Sequence, residues 1–265
     1  MRERKRKYEN EQRKKKCIIC GSTFMCHVIW NWKHNGLFHG KFCADQCFTT
    51  GDLDIGLKEP DWDPNENDGK NMYPGYTVYK NPTVKNITSD KNGDEPCYVR
   101  MSVDILNSQG TPITDDQALN LIYKTIYFDK TFTGGYDKKE GKATGLIQDR
   151  IPGYNLAQLA AYPMVNPLWT KDTARSTASK LVFNYMGAKG DGILNIGEES
   201  TLFTNIAIPT DWNQTQMQKV GNYQLKVTAQ AIQSKGFATQ SEAYRMLDEE
   251  IKGGTLQEIN RGSEN

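Results

Sequence analysis

From residue 51 onward, apolar and polar residues alternate with a period of two. Leu53, Ile55 and Leu57 alternate with Asp52, Asp54 and Gly56. The longest stripe is Cys97, Val99, Met101, Val103 and Ile105, with Tyr98, Arg100, Ser102 and Asp104 on the other face. Leu225, Val227, Ala229 and Ala231 make a late stripe. Such patterns predict half-buried strands, apolar face inward and polar face outward. Shorter candidates lie at 76–80, 83–87, 121–128, 180–185 and 201–208. Tyr73-Pro74-Gly75, Lys91-Asn92-Gly93-Asp94, Ser108-Gln109-Gly110 and Gly190-Asp191-Gly192 supply the turn chemistry between them. The spacing predicts a mainly all-β chain, an antiparallel β-sandwich or jelly roll. Helices are expected at Ala157 to Ala161, at Thr173 to Lys180, and at Ser241 to Ile251, where Ser241 can cap and Ala243, Tyr244, Leu247 and Ile251 share a face. The tail after Gly253-Gly254 is expected to fray.

Composition divides the chain. It has 265 residues, 37% hydrophobic and 25% charged, and no run approaches the ~18 apolar residues of a membrane span, so no stable span is expected. Residues 1–47 hold 11 Lys and Arg against 4 Asp and Glu, and so carry +7; the remainder carries −6. An acidic body gives no reason to expect nucleic acid as its main partner. Five of the six cysteines (Cys17, Cys20, Cys26, Cys43, Cys47) and all three histidines (His27, His34, His39) also precede residue 48. The expected organisation is an aberrant leader over 1–47, a sandwich over 48–235, and a C-terminal helix and tail over 236–265.

The body offers little reactive chemistry. Hydrolase triads and zinc proteases usually need His, and residues 48–265 contain none. There is no GxGxxG after a strand and no phosphate loop. Cys97 lies on the apolar stripe and reads as a structural thiol. The acidic loop Asp61 to Gly69 fails the EF-hand pattern, with Glu66 where Gly is required and Met72 where the bidentate Glu belongs. Asn86-Ile87-Thr88 and Asn213-Gln214-Thr215 match the short glycosylation sequon. No catalytic, cofactor-binding or metal-binding residue is assigned, and no cofactor is expected.

The N-terminal segment supports two readings. Cys17-x2-Cys20 and Cys43-x3-Cys47, with three histidines nearby, suit a zinc knuckle, which beside a basic leader would bind nucleic acid. The preferred reading begins from the basic first 16 residues, which resemble a signal-peptide n-region lacking its apolar stretch. Read one base out of phase, the codons of Met25-Cys26 must give Cys, and those of Trp30-Asn31 and Trp32-Lys33 must each give Gly. Neighbouring pairs permit Ala, Val, Leu and Phe. An apolar stretch of about 20 residues therefore exists in the shifted frame. Residues from about 17 to 47 are expected to be a frameshifted signal peptide and mature start.

In that frame the pairs from Gly36 to Gly40 permit Ala-Tyr-Phe-Thr, and Phe48-Thr49-Thr50-Gly51-Asp52-Leu53-Asp54-Ile55 follows. This resembles the start of the TasA/camelysin family, secreted Gram-positive proteins processed by the SipW-type signal peptidase. Further likenesses are Glu59-Pro60-Asp61-Trp62-Asp63-Pro64, Lys80-Asn81-Pro82-Thr83-Val84-Lys85-Asn86, Cys97-Tyr98-Val99-Arg100-Met101, Gly197 to Phe203, and the closing strand Leu225 to Gln233. The resemblance covers about 48–233. It implies a jelly-roll-like sandwich and, for the frame-corrected protein, export to the biofilm matrix or cell surface and self-association into fibres or with other matrix proteins; the chain as written is expected to lack a working signal peptide. The strand donated between subunits would correspond to the shifted-frame residues running into Asp52, Leu53, Asp54, Ile55, Gly56 and Leu57. An ordinary strand in the chain's own sheet is the competing reading of those residues. The camelysin name also implies a metallo-endopeptidase, which the His-free body supports poorly; a structural role is preferred.

Overall fold

A computed structural model describes residues 51–60, 62, 69, 71–88, 95–131 and 153–253, together with the backbone of four short strands outside those ranges. In chain order the strands are β1 (Cys17–Cys20), β2 (Cys47–Thr49), β3 (Gly51–Lys58), β4 (Thr77–Tyr79), β5 (Thr83–Asn86) and β6 (Cys97–Asn107). Helix α1 (Asp116–Tyr123) follows, then β7 (Ile126–Tyr127), β8 (Tyr136–Asp137), β9 (Lys142–Ala143) and helix α2 (Leu156–Leu159). The remainder comprises β10 (Trp169–Lys171), β11 (Lys180–Tyr185), β12 (Ile193–Leu194), β13 (Glu199–Thr201), β14 (Asn205–Ala207), helix α3 (Gln214–Val220), β15 (Tyr223–Gln233) and helix α4 (Gln240–Lys252).

All described pairings are antiparallel, and the fold is a mainly β, sandwich-like one. β6 is the organising strand. It pairs with β15 along its whole length, from Tyr223↔Asn107 to Gln233↔Cys97, and on its other side with β11 and β12. The resulting six-stranded sheet runs β1-β15-β6-β11-β10, with β12 also on β6. A four-stranded sheet runs β13-β5-β3-β2, and a three-stranded one runs β4-β14-β7. The inward stripe of β6 shares one core with Leu181 and Phe183 of β11, Leu225 and Val227 of β15, Leu53, Ile55 and Leu57 of β3, Val84 of β5 and Ile206 of β14. Each such large side chain contributes about 1.5–3 kcal/mol by leaving water. The alternation seen in the sequence is what lets the three sheets share this core.

The polar face of β6 departs from expectation. Tyr98, Arg100 and Ser102 are buried, because α4 lies over that face. Tyr98 and Ile232 pack with Ala243, Tyr244 and Leu247 of α4, and the Tyr244 hydroxyl donates to the Val99 carbonyl at 2.6 Å. The strand is therefore covered on both sides. Thr239 caps α4, accepting from Glu242 N, in place of the expected Ser241.

Two local expectations are corrected. Residues 121–128 were expected as a strand, but 116–123 form α1. Asp115 accepts from the Gln117 and Ala118 amides, and Ala118, Leu119 and Ile122 give the turn a buried side. Only Ile126–Tyr127 is extended. Thr173 to Lys180 was expected as a helix and is a turn. There Asp172 and Ser176 take up backbone groups: the Asp172 carboxylate accepts from Arg175 N, and the Ser176 hydroxyl donates to the Asp172 carbonyl and accepts from Val182 N. These local bonds compete with a helical ladder. Helix α3 was not anticipated; Asn213 and Gln216 close a reciprocal capping box around its first turn. At the other end, β2 straddles the expected leader boundary at 47, and β1 pairs with β15. The Asp61–Gly69 acidic loop and the Lys91–Asp94 turn fall mostly or wholly outside the described residues, as do the tail from 254 and the side chains of the leader's Cys and His.

Candidate functional site

Asp52, Leu53, Asp54, Ile55, Gly56 and Leu57 all lie in β3. The strand pairs with β5 from Ile55↔Asn86 to Lys58↔Thr83 and, along its other edge, with the short β2. Beyond that ladder the Asp54 carbonyl accepts from Ile87 N, and Asp54 N donates to Thr88 Oγ1. Leu53, Ile55 and Leu57 are 2%, 0% and 2% exposed. These residues thus occupy the chain's own sheet and fill its own core. Just beyond β3, Glu59 accepts two hydrogen bonds from Lys80 Nζ, at 2.9 and 3.1 Å, and Lys80 lies over the Trp62 ring. Burial pushes the Glu59 carboxyl above its ordinary value, and the pull of Lys80 only partly offsets it.

A second arrangement lies on the outer face of the large sheet, where β6, β11 and β15 meet α4. A cleft of about 340 Å³ opens there, walled by Arg100, Arg175, Lys180, Lys252 and Asp248, with Val182 and Ile251 supplying apolar surface. The ladder sets Arg100 beside Gln230 on β15 and Asn184 on β11. Arg100 Nε donates to Gln230 Oε1 at 2.7 Å, and Nη2 lies 2.7 Å from Asp248 Oδ1. Asp248 Oδ2 accepts from Arg175 Nε at 2.7 Å and lies 2.6 Å from Arg175 Nη2. Asp172 Oδ2 in turn accepts from Arg175 Nη1 and Asn184 Nδ2. Both guanidinium groups lie over the Tyr244 ring, with centroid distances of 5.4 and 6.0 Å. Burial alone would raise the Asp248 carboxyl, but the hydrogen bonds from Arg175 and Arg100 outweigh it and hold it below the ordinary value. Asp172 is lowered in the same way, its burial outweighed by Asn184 and Arg175.

The sequence placed Arg100 on an outward face but gave no hint of this cluster. Arg175 and Asp248 are 73 positions apart, and no local motif joins them. The sequons resolve differently from each other. Asn86 is fully buried, its Nδ2 donating to the carbonyls of Glu95 and Leu194, which closes it to glycosylation in the folded chain. Asn213 serves as the α3 cap. Cys97 is buried and free, and burial pushes its thiol far above the usual range. Among the described residues no three His, Cys, Asp or Glu side chains gather in a metal-holding group, and no helix is long and apolar enough to cross a membrane. Compared with known protein families, curated proteins and solved structures, the chain finds no match in any of the three.

Proposed function

We propose that this chain, in its frame-corrected form, is a secreted, non-catalytic subunit of an extracellular matrix or cell-surface fibre, of the kind the TasA/camelysin resemblance implies. Copies join when β3 is donated from one subunit to the next. The observation that carries the reading is the construction of β3: three alternate apolar side chains seat fully in the core, while its regular pairing spans four β5 positions on one edge and the three-residue β2 on the other. A second copy presents the same strand, so its main-chain bonds and side-chain seats can be exchanged between chains at little cost. Partners are further copies of the chain and other matrix proteins, with a signal peptidase acting during export. Resequencing the gene across codons 10–50 tests the displaced leader frame on which export depends; a single intact frame removes that support.

The assembly itself is tested by locking β3 in its own sheet. Gly56 and Lys85 face each other in the β3–β5 ladder, and a Cβ at Gly56 would make only ordinary contacts, at 3.6 Å or more from Ile87. In the frame-corrected protein beginning at the restored mature terminus, Gly56→Cys/Lys85→Cys should form filaments when reduced and none when oxidised. Filaments that persist with the bond closed, or their absence from the reduced protein at every concentration, pH and salt, would sink the proposal.

A further inference from the structure

The cleft beneath α4 has more hydrogen-bond donors than acceptors. Both oxygens of Asp248 are engaged by the two arginines, and Asp172 Oδ2 is taken by Arg175 and Asn184. Arg100, 6% exposed, keeps an Nη1 with no hydrogen-bond partner. A buried donor left unpaired is destabilising, so the site favours an added acceptor. Lys252 lines the mouth without an ion pair among the described residues, where it also offsets the negative end of α4. Lys180 is paired only loosely, 3.6 Å from Asp104, and remains 48% exposed. Four cations thus surround one lining carboxylate whose oxygens are both in use.

We infer that this cleft binds a small oxyanion, the carboxylate or phosphate group of a compact solute, held between Lys180 and Lys252 with Arg100 at its base. A volume of about 340 Å³ lies at the small end of ligand clefts, which run about 300–1,000 Å³. Val182 and Ile251 give a short carbon skeleton an apolar surface to lie on. The rival acceptor is internal. Asn184, opposite Arg100 in the ladder, has an Oδ1 that also lacks a partner, and one water between the two would satisfy both. In that arrangement the cleft has no use for an anion, so the two cases separate by titration.

The experiment is calorimetric titration of the full chain with inorganic phosphate and, separately, with propionate, at constant ionic strength set by chloride. The comparison is Lys180→Gln/Lys252→Gln, whose two side chains are exposed and whose fold is checked by circular dichroism. Saturable binding that weakens about tenfold or more in the double variant supports the site. Binding of phosphate alone assigns it to phosphate; binding of propionate alone assigns it to carboxylates. No saturable binding of either, or equal affinity in the double variant, overturns it. Filament formation plays no part in the readout, so the result stands apart from the fate of the strand-exchange proposal.

Discussion

Lys80 Nζ lies 2.9 Å from Glu59 Oε1, and both side chains are only 4% exposed. The pair ties the residue just beyond β3 to the residue just beyond β4. Removing one member of such a buried pair leaves the other charge without its counter-ion in a low-dielectric setting. Glu59→Ala and Lys80→Ala should therefore each destabilise the chain by about 3–5 kcal/mol. Glu59→Leu/Lys80→Met should cost clearly less than the sum of the two. Urea unfolding of the four proteins checks this; additive losses would show that the two side chains act independently.

Asn86 joins three segments. Its Nδ2 donates to Glu95 O and Leu194 O, each at 3.1 Å, and its Oδ1 accepts from Thr88 N at 3.1 Å and Thr88 Oγ1 at 2.6 Å. Asn86→Leu matches the apolar surroundings but orphans these groups, at about 1–3 kcal/mol apiece. Asn86→Asp should be worse, since a carboxylate would face two carbonyl oxygens. Denaturation midpoints ranking wild type above Leu above Asp are the expected outcome.

The Asp248 carboxylate gives stability a defined acid dependence. Its pKa in the fold is below the ordinary 3.8, so the fold binds that proton less readily than the unfolded chain does. Its contribution is then complete above the unfolded value and is lost as pH falls through the folded one. Asp248→Asn should cost about 1–2 kcal/mol near pH 6, the low end for charge-assisted bonds because Asp248 remains 28% exposed. That difference should shrink below about pH 4. A gap between wild type and variant that is constant from pH 6 to pH 3 would refute the electrostatic account.

Cys97 should be chemically inert in the folded chain. It is 0% exposed, and a thiol held far above its usual pKa supplies almost no thiolate. With the leader cysteines changed to serine, iodoacetamide at pH 8 should leave the native protein unmodified and label one site in urea. Rapid labelling without denaturant would contradict the burial.

Ile55, 0% exposed, tests what β3 contributes to the isolated subunit. Ile55→Ala should destabilise by about 2–5 kcal/mol, whereas Lys58→Ala, exposed at the end of the same strand, should change stability by less than about 0.5 kcal/mol. Thermal unfolding of both variants separates a strand seated in its own core from one lying loosely on the surface.

The stripes beginning at Leu53, Cys97 and Leu225 were legible because period-two alternation states both the backbone conformation and the face that must leave water. The failures have equally local causes. The triplet Leu121-Ile122-Tyr123 has strand-like composition, yet Asp115 caps the preceding amides and turns the segment into α1. Thr173 to Lys180 has helical composition, yet the side chains of Asp172 and Ser176 supply bonds that suit a turn better.

The sequence by itself determined the long strands β3, β6 and β15, their inward faces, and the burial of Cys97, because these follow from a repeat of two residues along one segment. Only the tertiary structure decided that the polar face of β6 is roofed by α4. It alone brought Arg100, Arg175 and Asp248 together. That meeting depends on ladder register and on where a helix docks, and pairing across 73 or more positions leaves no periodic trace in the chain.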